Sequence, residues 1–241
     1  MHAQQKNIII VSNRLPVKIV RTGKKSELIP GSGGLVTALA PVLRDRGGIW
    51  IGWDGTTAGH FHKKLFQKES SRIGYRLIPV SLTSQQVELY YEGFSNTTLW
   101  PLFHDFLDRC QFQPETWEMY CRVNQKFAQE TLEQSSPQDL IWVQDYHLLL
   151  VGKFLDQLQF PGKTAFFLHI PFPPWDLFMR LPWRKELIEG LLHYDLVGFQ
   201  TERDRWNFIR CVRRMFPGAL VSGPQRMQII EHNGRVTRVG G

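Results

Sequence analysis

The 241-residue sequence predicts an α/β fold: a Rossmann-like, doubly wound and mostly parallel sheet with helices on both faces. Two observations predict it. Short runs of β-branched and aromatic residues alternate along the chain with longer stretches whose apolar residues have helical spacing. Polar residues directly follow several of the short runs, which is typical of strands that end at the ligand-binding edge of an open sheet. We find no internal repeat or linker and expect residues 1–241 to form a single domain.

The first half of the chain contains three predicted strands and one well-marked helix. The strands are residues 8–11, 49–53 and 75–80. The helix covers residues 35–46, and Gly47 and Gly48 end it. We expect a basic loop between the first strand and this helix, and a loop or irregular segment over residues 56–71. Residues 92–104 alternate aromatic and small polar side chains too irregularly to predict one regular element.

The second half continues the alternation with stronger signals. Apolar strand patterns and amphipathic helix patterns follow one another, and a capping sequence at residues 200–202 precedes the last helix. The predicted strands are residues 139–143, 164–168, 196–199, 228–231 and 236–239. The predicted helices are residues 117–132, 148–158, 183–193 and 204–215.

The composition indicates a globular protein with an anionic partner. The formal net charge is +7 and the pI is about 9.5, so a sugar phosphate, a nucleotide or a nucleic acid would be attracted. The longest apolar runs are too short to span a bilayer, and the N-terminal residues lack the apolar core of a signal peptide, which predicts a cytoplasmic protein without a membrane partner. The arginines of residues 203–214 fall on a predicted helix, where a solvated or domain-facing face is the simplest interpretation.

The three cysteines predict neither a disulfide framework nor a metal centre. Cys110, Cys121 and Cys211 have no metal-ligand spacing, and their number is odd. Free buried or half-buried thiols are the simplest interpretation, and we expect no bound metal.

A candidate anion site precedes the first predicted helix. Gly31, Gly33 and Gly34 lie there, and the first turn of a helix presents free backbone N–H groups and the positive end of the helix dipole. The spacing matches neither the dinucleotide fingerprint nor the Walker A loop, so an ordinary turn is equally compatible with it. Arg14 follows the first strand, at the edge where open sheets bind their ligands.

Two later strand ends carry polar residues suited to catalysis. Asp145 follows the strand at residues 139–143, and His169 follows the strand at residues 164–168. The residue types alone make Asp145 a candidate general base and His169 a candidate acid or base. The aromatic and polar residues of 90–104 suit a sugar site, where ring faces stack on C–H surfaces, although such residues also build ordinary cores.

Several of these motifs, taken in order, resemble the amino-terminal domain of the trehalose-6-phosphate synthase family, which are retaining glycosyltransferases of the GT-B fold. The similarity covers nearly the whole chain. Its carriers are Val11-Ser12-Asn13-Arg14, Gly33-Gly34-Leu35, Gly52-Trp53, Tyr90-Tyr91-Glu92-Gly93-Phe94-Ser95-Asn96, Leu99-Trp100-Pro101, Asp145-Tyr146-His147-Leu148, His169-Ile170-Pro171-Phe172-Pro173 and Gly198-Phe199-Gln200-Thr201. The resemblance implies transfer of glucose from a nucleotide donor, commonly UDP-glucose, to glucose 6-phosphate, giving trehalose 6-phosphate with retention at the donor carbon.

The resemblance also implies roles in binding the acceptor. Arg14 and Tyr91 would hold the acceptor phosphate, because a guanidinium fork suits phosphate and the phenol adds a hydrogen bond. Trp53 would line the phosphate pocket. Asp145 and Trp100 would hold the acceptor sugar.

On the donor side, the resemblance assigns Gly33 and Gly34 to the donor diphosphate and His169 to the donor glucose. The family is thought to react on one face of the donor sugar, with the departing phosphate helping to take the acceptor proton. Asp145 and His169 are the catalytic candidates, and on this view they orient the substrates rather than attack. No cofactor is implied besides the donor itself.

The family has a second Rossmann-like domain that binds the donor, and the resemblance reaches residue 241 about where that domain should begin. We therefore expect half of an active cleft, an acceptor-binding domain over residues 1–241, and negligible turnover by these residues alone. The carboxy-terminal domain is the implied partner, and a homo-oligomer is a further option.

Three alternatives stay open. Glucosylglycerol-phosphate synthase or a related sugar-phosphate glycosyltransferase would keep the phosphate and donor motifs with a different acceptor pocket. A non-catalytic sugar-phosphate-binding subunit would need no second domain. A nucleic-acid-binding module is the weakest alternative, because no known module is present and the aromatic residues follow a sugar-site pattern.

Overall fold

The computed structural model describes residues 7–22, 25–57 and 63–241. Its strands are β1 (Ile8–Arg14), β2 (Val17–Thr22), β3 (Lys25–Pro30), β4 (Gly48–Trp53), β5 (Arg76–Val80), β6 (Leu140–Gln144), β7 (Lys163–Leu168), β8 (Leu196–Phe199), β9 (Leu220–Ser222), β10 (Met227–His232) and β11 (Arg235–Gly240). Nine of them form one sheet in the order β5-β4-β1-β6-β7-β8-β11-β10-β9, and β2 and β3 form a separate hairpin. The sheet is parallel from β5 to β11, and β10 and β9 extend it by antiparallel pairing.

The helices follow the strands along the chain. They are α1 (Gly34–Arg46), α2 (Lys63–Ile73), α3 (Ser84–Gln86), α4 (Trp100–Phe103), α5 (Pro114–Gln134), α6 (Val151–Gln157), α7 (Trp175–Phe178), α8 (Arg184–Leu191) and α9 (Glu202–Met215). A π-helical segment, Val87–Leu99, joins α3 to α4. Short 3₁₀ helices lie at Leu107–Arg109 and, directly after β6, at Tyr146–Leu148. None of the described helices is long and apolar enough to cross a membrane.

Two apolar clusters cover the two faces of the sheet. The larger contains side chains of α5, α6, α8 and α9 packed on strand residues such as Val11, Val143 and Val197. The smaller contains side chains of α1, α2 and the β2–β3 hairpin packed on Ile10 and Trp50. The predicted mostly parallel sheet with helices on both faces is therefore confirmed.

The predicted strands of the main sheet and the helix at 35–46 are present with small boundary changes. The predicted helix at 148–158 is shorter, because the 3₁₀ turn and a bend precede α6. β9 is not among the predicted strands, since its three residues are too few to show periodicity.

Two predicted loops are regular elements. The basic loop after β1 is the β2–β3 hairpin, which forms because buried Val17 and Leu28 pack on the smaller cluster. The predicted irregular stretch 56–71 contains the first nine residues of α2, whose Phe66 is buried in the same cluster. In both cases abundant Lys, Arg and Ser obscure a narrow apolar stripe. Residues 58–62 of that stretch lie outside the described residues.

The aromatic stretch predicted to be irregular is helical from residue 84 to residue 103. The N–H of Trp100 donates to the carbonyl of Ser95, five residues back, which is the bond of a π-helix. The buried residues of this segment include Tyr90, Phe94 and Thr98, which follow one another at intervals of four. Gly93 and the polar residues 95–98 interrupt its apolar residues, so the sequence pattern alone does not reveal the helix.

Candidate active site

A cavity of about 730 Å³ opens at the carboxyl edge of β1, β4 and β6. The hairpin β2–β3, the glycine loop before α1 and the turn after β4 form its other walls. The predicted site residues that line it are Arg14, Gly33, Gly34, Tyr91 and Asp145. The other three, Trp53, Trp100 and His169, lie outside this lining. Trp53 and His169 nevertheless contact residues that form it.

Arg14 is the central cation of the cavity. Its guanidinium carbon lies 4.0 Å from the centroid of the Trp53 ring and 5.5 Å from that of the Tyr91 ring. Within the described part of the chain, no carboxylate forms a salt bridge with Arg14. A guanidinium held between aromatic rings without an acidic partner keeps its donors available for an anionic ligand.

The end of β1 is shaped to present Arg14. The register between β1 and β4 shifts between Val11 and Arg14, so the strand bulges there. Ser12 Oγ fixes the bulge, because it accepts from Trp50 Nε1 at 2.8 Å and donates to the carbonyl of Arg14 at 2.7 Å. The bulge also depends on Gly52, since a Cβ there would approach the nitrogen of Leu15 to 2.8 Å.

Tyr91 and His147 extend the row of aromatic rings that begins at Trp53. The Tyr91 ring meets Trp53 edge-on at 5.8 Å and stacks on the His147 imidazole at 5.7 Å with an interplanar angle of 16°. Burial lowers the pKa of His147 to about 3, and the charge of Arg14 adds to this effect. His147 is therefore neutral near pH 7, and Arg14 carries the positive charge at this end of the cavity.

Asp145 follows β6 in a backbone conformation with φ of 72°, which Asp and Asn adopt more readily than most residues. Its Oδ1 accepts from the backbone N–H of Tyr146 at 3.0 Å and from that of His169 at 3.2 Å. Burial raises the pKa of Asp145 against the opposing effect of these hydrogen bonds. The second carboxylate oxygen has no hydrogen-bond partner among the described residues, so it is available to a ligand hydroxyl.

His169 lies beside Asp145, because β6 and β7 are neighbours in the sheet. Its Nε2 is 2.9 Å from Oε1 of Gln144, a residue of the cavity lining. Burial lowers the pKa of His169, while the Asp145 carboxylate opposes this change. The two predicted catalytic residues are therefore brought together, through backbone and amide contacts rather than through a direct side-chain pair.

A buried layer beneath the site holds the segment after β6. Asn124 of α5, which has no exposed surface, donates from Nδ2 to the carbonyl of His147 at 3.0 Å and accepts from the N–H of Leu150. Tyr120 Oη donates to the carbonyl of Tyr146 at 2.7 Å and accepts from the N–H of Leu149. These bonds fix the backbone that carries Asp145 and His147.

The glycine loop forms the opposite side of the cavity. Gly33 is the N-cap of α1 with φ of 145°, and no side chain caps this helix end. Among the described residues, apart from the adjoining backbone, none lies within 4 Å of a Cβ added to Gly33 or Gly34. Free N–H groups and open space suit the approach of an anion, but the loop has no charged side chain that could bind one.

Trp100 stands apart from this cavity. Its ring stacks on His104 at 4.2 Å and is 37% exposed. His104 is close enough to Asp145 to oppose the rise of the Asp145 pKa, so this aromatic pair lies on the Asp145 side of the site.

The lining also contains residues that are absent from the predicted site, among them Lys18, Gly55, Gln144 and His147. Gln144 and His147 flank Asp145 in the sequence, and this proximity is the signal that would have found them. Lys18 had no such signal, because its hairpin is not predicted.

The described residues contain no group of three His, Cys, Asp or Glu side chains able to hold a metal ion. Cys110, Cys121 and Cys211 are free thiols, as the sequence predicts.

Comparison with known proteins gives consistent matches over almost the whole chain. Trehalose-6-phosphate synthase of Mycolicibacterium vanbaalenii is 45% identical over 217 residues, which are 90% of this chain and 44% of that protein. The enzyme of the same name from Mycobacterium leprae is 45% identical over 89% of this chain and 43% of its own length. The chain thus spans less than half the length of these relatives.

Solved structures match equally well. The alpha,alpha-trehalose-phosphate synthase (UDP-forming) of Burkholderia xenovorans in complex with glucose-6-phosphate superposes with a TM-score of 0.79 at 31% identity, over 97% of this chain and 48% of that one. The structure described as trehalose-6-phosphate from E. coli bound with UDP-2-fluoro glucose gives a TM-score of 0.80 at 33% identity, over 97% and 48%. The sequence model of glycosyltransferase family 20 matches residues 6–240. The chain belongs to glycosyltransferase family 20.

Proposed function

We propose that this chain forms the acceptor-binding half of a retaining glucosyltransferase that transfers glucose from UDP-glucose to glucose 6-phosphate and forms trehalose 6-phosphate. In this proposal Arg14 and Tyr91 bind the acceptor phosphate, and Asp145 binds an acceptor hydroxyl. The N–H groups at Gly33 and Gly34 approach the donor diphosphate, and His169 contacts the donor glucose.

One observation carries the proposal: the Arg14 guanidinium, which has no acidic partner among the described residues, lies in the same cavity as the Asp145 carboxylate oxygen that none of those residues contacts by a hydrogen bond. Glucose 6-phosphate combines the two matching groups, an anionic phosphate and hydroxyls that donate to a carboxylate. The relatives support this choice, since a family member was solved with glucose-6-phosphate and another with a UDP-sugar analogue.

The reaction forms a bond between the anomeric oxygen of the acceptor and the anomeric carbon of the donor glucose. The bond from that carbon to the diphosphate breaks, and the acceptor proton passes to a departing phosphate oxygen. Asp145 orients the acceptor, because its Oδ1 is already occupied by two backbone N–H groups and only one oxygen faces the ligand. The role predicted for Trp100 at the acceptor sugar stays a prediction, because its ring lies outside the lining of this cavity.

The relatives carry about as many residues again beyond the matched half. We propose that these residues supply the side chains that the glycine loop lacks, so that the 241-residue polypeptide binds the acceptor weakly and turns over negligibly by itself.

The proposal is tested by NMR titration of the isolated chain with glucose 6-phosphate, glucose, inorganic phosphate and UDP-glucose. We expect saturable shifts with glucose 6-phosphate, weaker ones with phosphate, and little with glucose. UDP release should appear only after addition of the carboxy-terminal half of a relative. If glucose 6-phosphate causes no chemical-shift change in the folded chain, the acceptor assignment is wrong. Strong UDP release by the chain alone would contradict the proposal that turnover needs the carboxy-terminal half.

A further inference from the structure

The turn after β4 provides two different supports for Arg14. Trp53, the last residue of β4, places its ring under the guanidinium. Two residues later, Gly55 adopts φ of 86° and lies against the same guanidinium. A Cβ built on Gly55 would overlap Nη1 of Arg14, and among the described residues other than its two chain neighbours only Arg14 lies within 4 Å of that position.

The turn is held rigidly in this shape. Asp54 Oδ1 accepts from the backbone N–H of Thr56 at 2.8 Å and from its hydroxyl at 3.0 Å. Trp53 Nε1 donates to the carbonyl of Thr56 at 2.8 Å. The same hydrogen-bonded turn therefore fixes the ring on which the guanidinium lies and the backbone that bounds it.

We propose that Gly55 is a positioning residue for the anion site: it has no side chain because the Arg14 guanidinium occupies the space that a side chain would fill. A side chain at this position pushes Nη1 away and so displaces the guanidinium from its place over Trp53, although the turn itself still forms. Arg14 then keeps its charge but loses its orientation, and a bidentate contact with a phosphate depends on orientation.

The backbone conformation of Gly55 gives glycine a second advantage, because φ near +86° strains any residue with a Cβ. Gly74, which follows α2, separates the two effects. It has φ of 85°, and within the described part of the chain a Cβ there would meet, besides its chain neighbours, only Arg44 at the ordinary distance of 3.7 Å. Gly74→Ala therefore introduces the same backbone strain without touching Arg14.

The experiment compares Gly55→Ala with Gly74→Ala in the full chain by two readouts. The first is the NMR signal of the Arg14 Nε–H group, assigned by its loss in Arg14→Ala and shifted by the Trp53 ring current. We expect this shift to collapse in Gly55→Ala and to persist in Gly74→Ala. Both variants should lose similar thermal stability. An unchanged Arg14 signal in Gly55→Ala would overturn the proposal.

The second readout is binding of glucose 6-phosphate, and this part rests on the proposed function. We expect Gly55→Ala to weaken binding about tenfold through misplacement of the guanidinium, and Gly74→Ala to leave it unchanged. Inorganic phosphate, the probe for the anion site alone, should show the same loss. If the native chain binds neither compound, the proposed function fails, while the Arg14 signal still decides the role of Gly55.

Two further variants complete the test. Adding Gly55→Ala to Arg14→Ala should cause no additional loss of phosphate binding, because Gly55 acts only through Arg14. An equal loss in both backgrounds would overturn the proposal. If Gly55→Ala does not fold, Gly55→Asn replaces it, since Asn tolerates positive φ and still adds a side chain against Nη1.

Discussion

The two sides of the cavity are built in different ways. On one side, Arg14 lies on Trp53, next to Tyr91 and His147, and hydrogen bonds fix the strand end and the turn that hold these groups. On the other side, Gly33 and Gly34 present backbone N–H groups and open space, and neither has a side chain that could bind a ligand. The Arg14 side is preorganised within this chain, whereas the glycine side needs groups from elsewhere to hold a ligand firmly.

This difference explains how a chain that spans less than half the length of its relatives can contain one well-formed subsite. Substitutions on the Arg14 side should change acceptor binding in the isolated chain. Substitutions in the glycine loop should have an effect only when the donor is bound. The following variants test this contrast, beginning with the largest expected effect.

Arg14→Ala removes the central cation of the preorganised side. We expect about a 100-fold loss of glucose 6-phosphate affinity, because two charge-assisted hydrogen bonds disappear together. NMR titration measures the loss. Arg122→Ala is the matched control, since it removes the same charge from an exposed site on α5. An equal loss in both variants would show that net charge, rather than the site, attracts the ligand.

Asp145→Asn separates recognition of the sugar from recognition of the phosphate. We expect about a tenfold loss for glucose 6-phosphate and no change for inorganic phosphate, because only the sugar has hydroxyls for the carboxylate. The Asn side chain can still accept from the N–H groups of Tyr146 and His169, and Asn tolerates the φ of 72°. Equal losses for both ligands would contradict the assigned role.

The same variant should not lose stability. Burial raises the pKa of Asp145 in the folded protein above that of the unfolded chain, so the ionised carboxylate opposes folding at pH 7 and this cost disappears as the pH falls through the raised pKa. Asp145→Asn removes this cost, so its free energy of unfolding at pH 7 should match or exceed that of the native chain. Urea unfolding measures this, and a clear loss of stability would contradict the raised pKa.

His147→Gln tests whether the preorganised side depends on a neutral imidazole. Burial lowers the pKa of His147 from the ordinary value of 6.5 to about 3 in the folded protein. Protons therefore bind the unfolded chain more readily, so the free energy of unfolding is at its full value above pH 6.5 and falls as the pH drops from 6.5 towards 3. The variant should therefore lose less stability on acidification, by up to about 1.4 kcal/mol per pH unit. Urea unfolding at a series of pH values measures this slope.

His193→Gln is the comparison for that slope. His193 lies at the other edge of the sheet and its Nδ1 is 3.1 Å from Oδ2 of Asp156, which opposes the lowering of its pKa by burial. Its substitution should change the acid dependence less. Parallel curves for the native chain and His147→Gln would show that the imidazole is not held neutral.

The sequence predicts the glycine loop and the polar residues at the strand ends, but it does not predict the contacts that hold Arg14 in place. Arg14, Asp145 and His169 follow apolar strands, and strand patterns are local, so their shared edge can be predicted from periodicity and sheet rules. The stacking of His147 on Tyr91 and the fit of Arg14 against Gly55 join residues far apart in the chain. No local pattern encodes such contacts. The prediction that residues 92–104 form no regular element was also wrong, because glycine and small polar residues interrupt the apolar residues of the π-helical segment there.

Gly34→Ala tests the glycine side and should have the smallest effect on the isolated chain. Gly34 begins α1 and a Cβ there meets nothing within 4 Å, so folding should be unchanged or improved by about 0.5 kcal/mol. Binding of glucose 6-phosphate should change less than about twofold, because Arg14 and Asp145 are untouched. After complementation with the carboxy-terminal half of a relative, the KM for UDP-glucose should rise, since the added methyl group occupies space that the diphosphate needs. An unchanged KM for UDP-glucose would mean that the glycine loop before α1 is an ordinary turn, and that the carboxy-terminal half alone binds the donor.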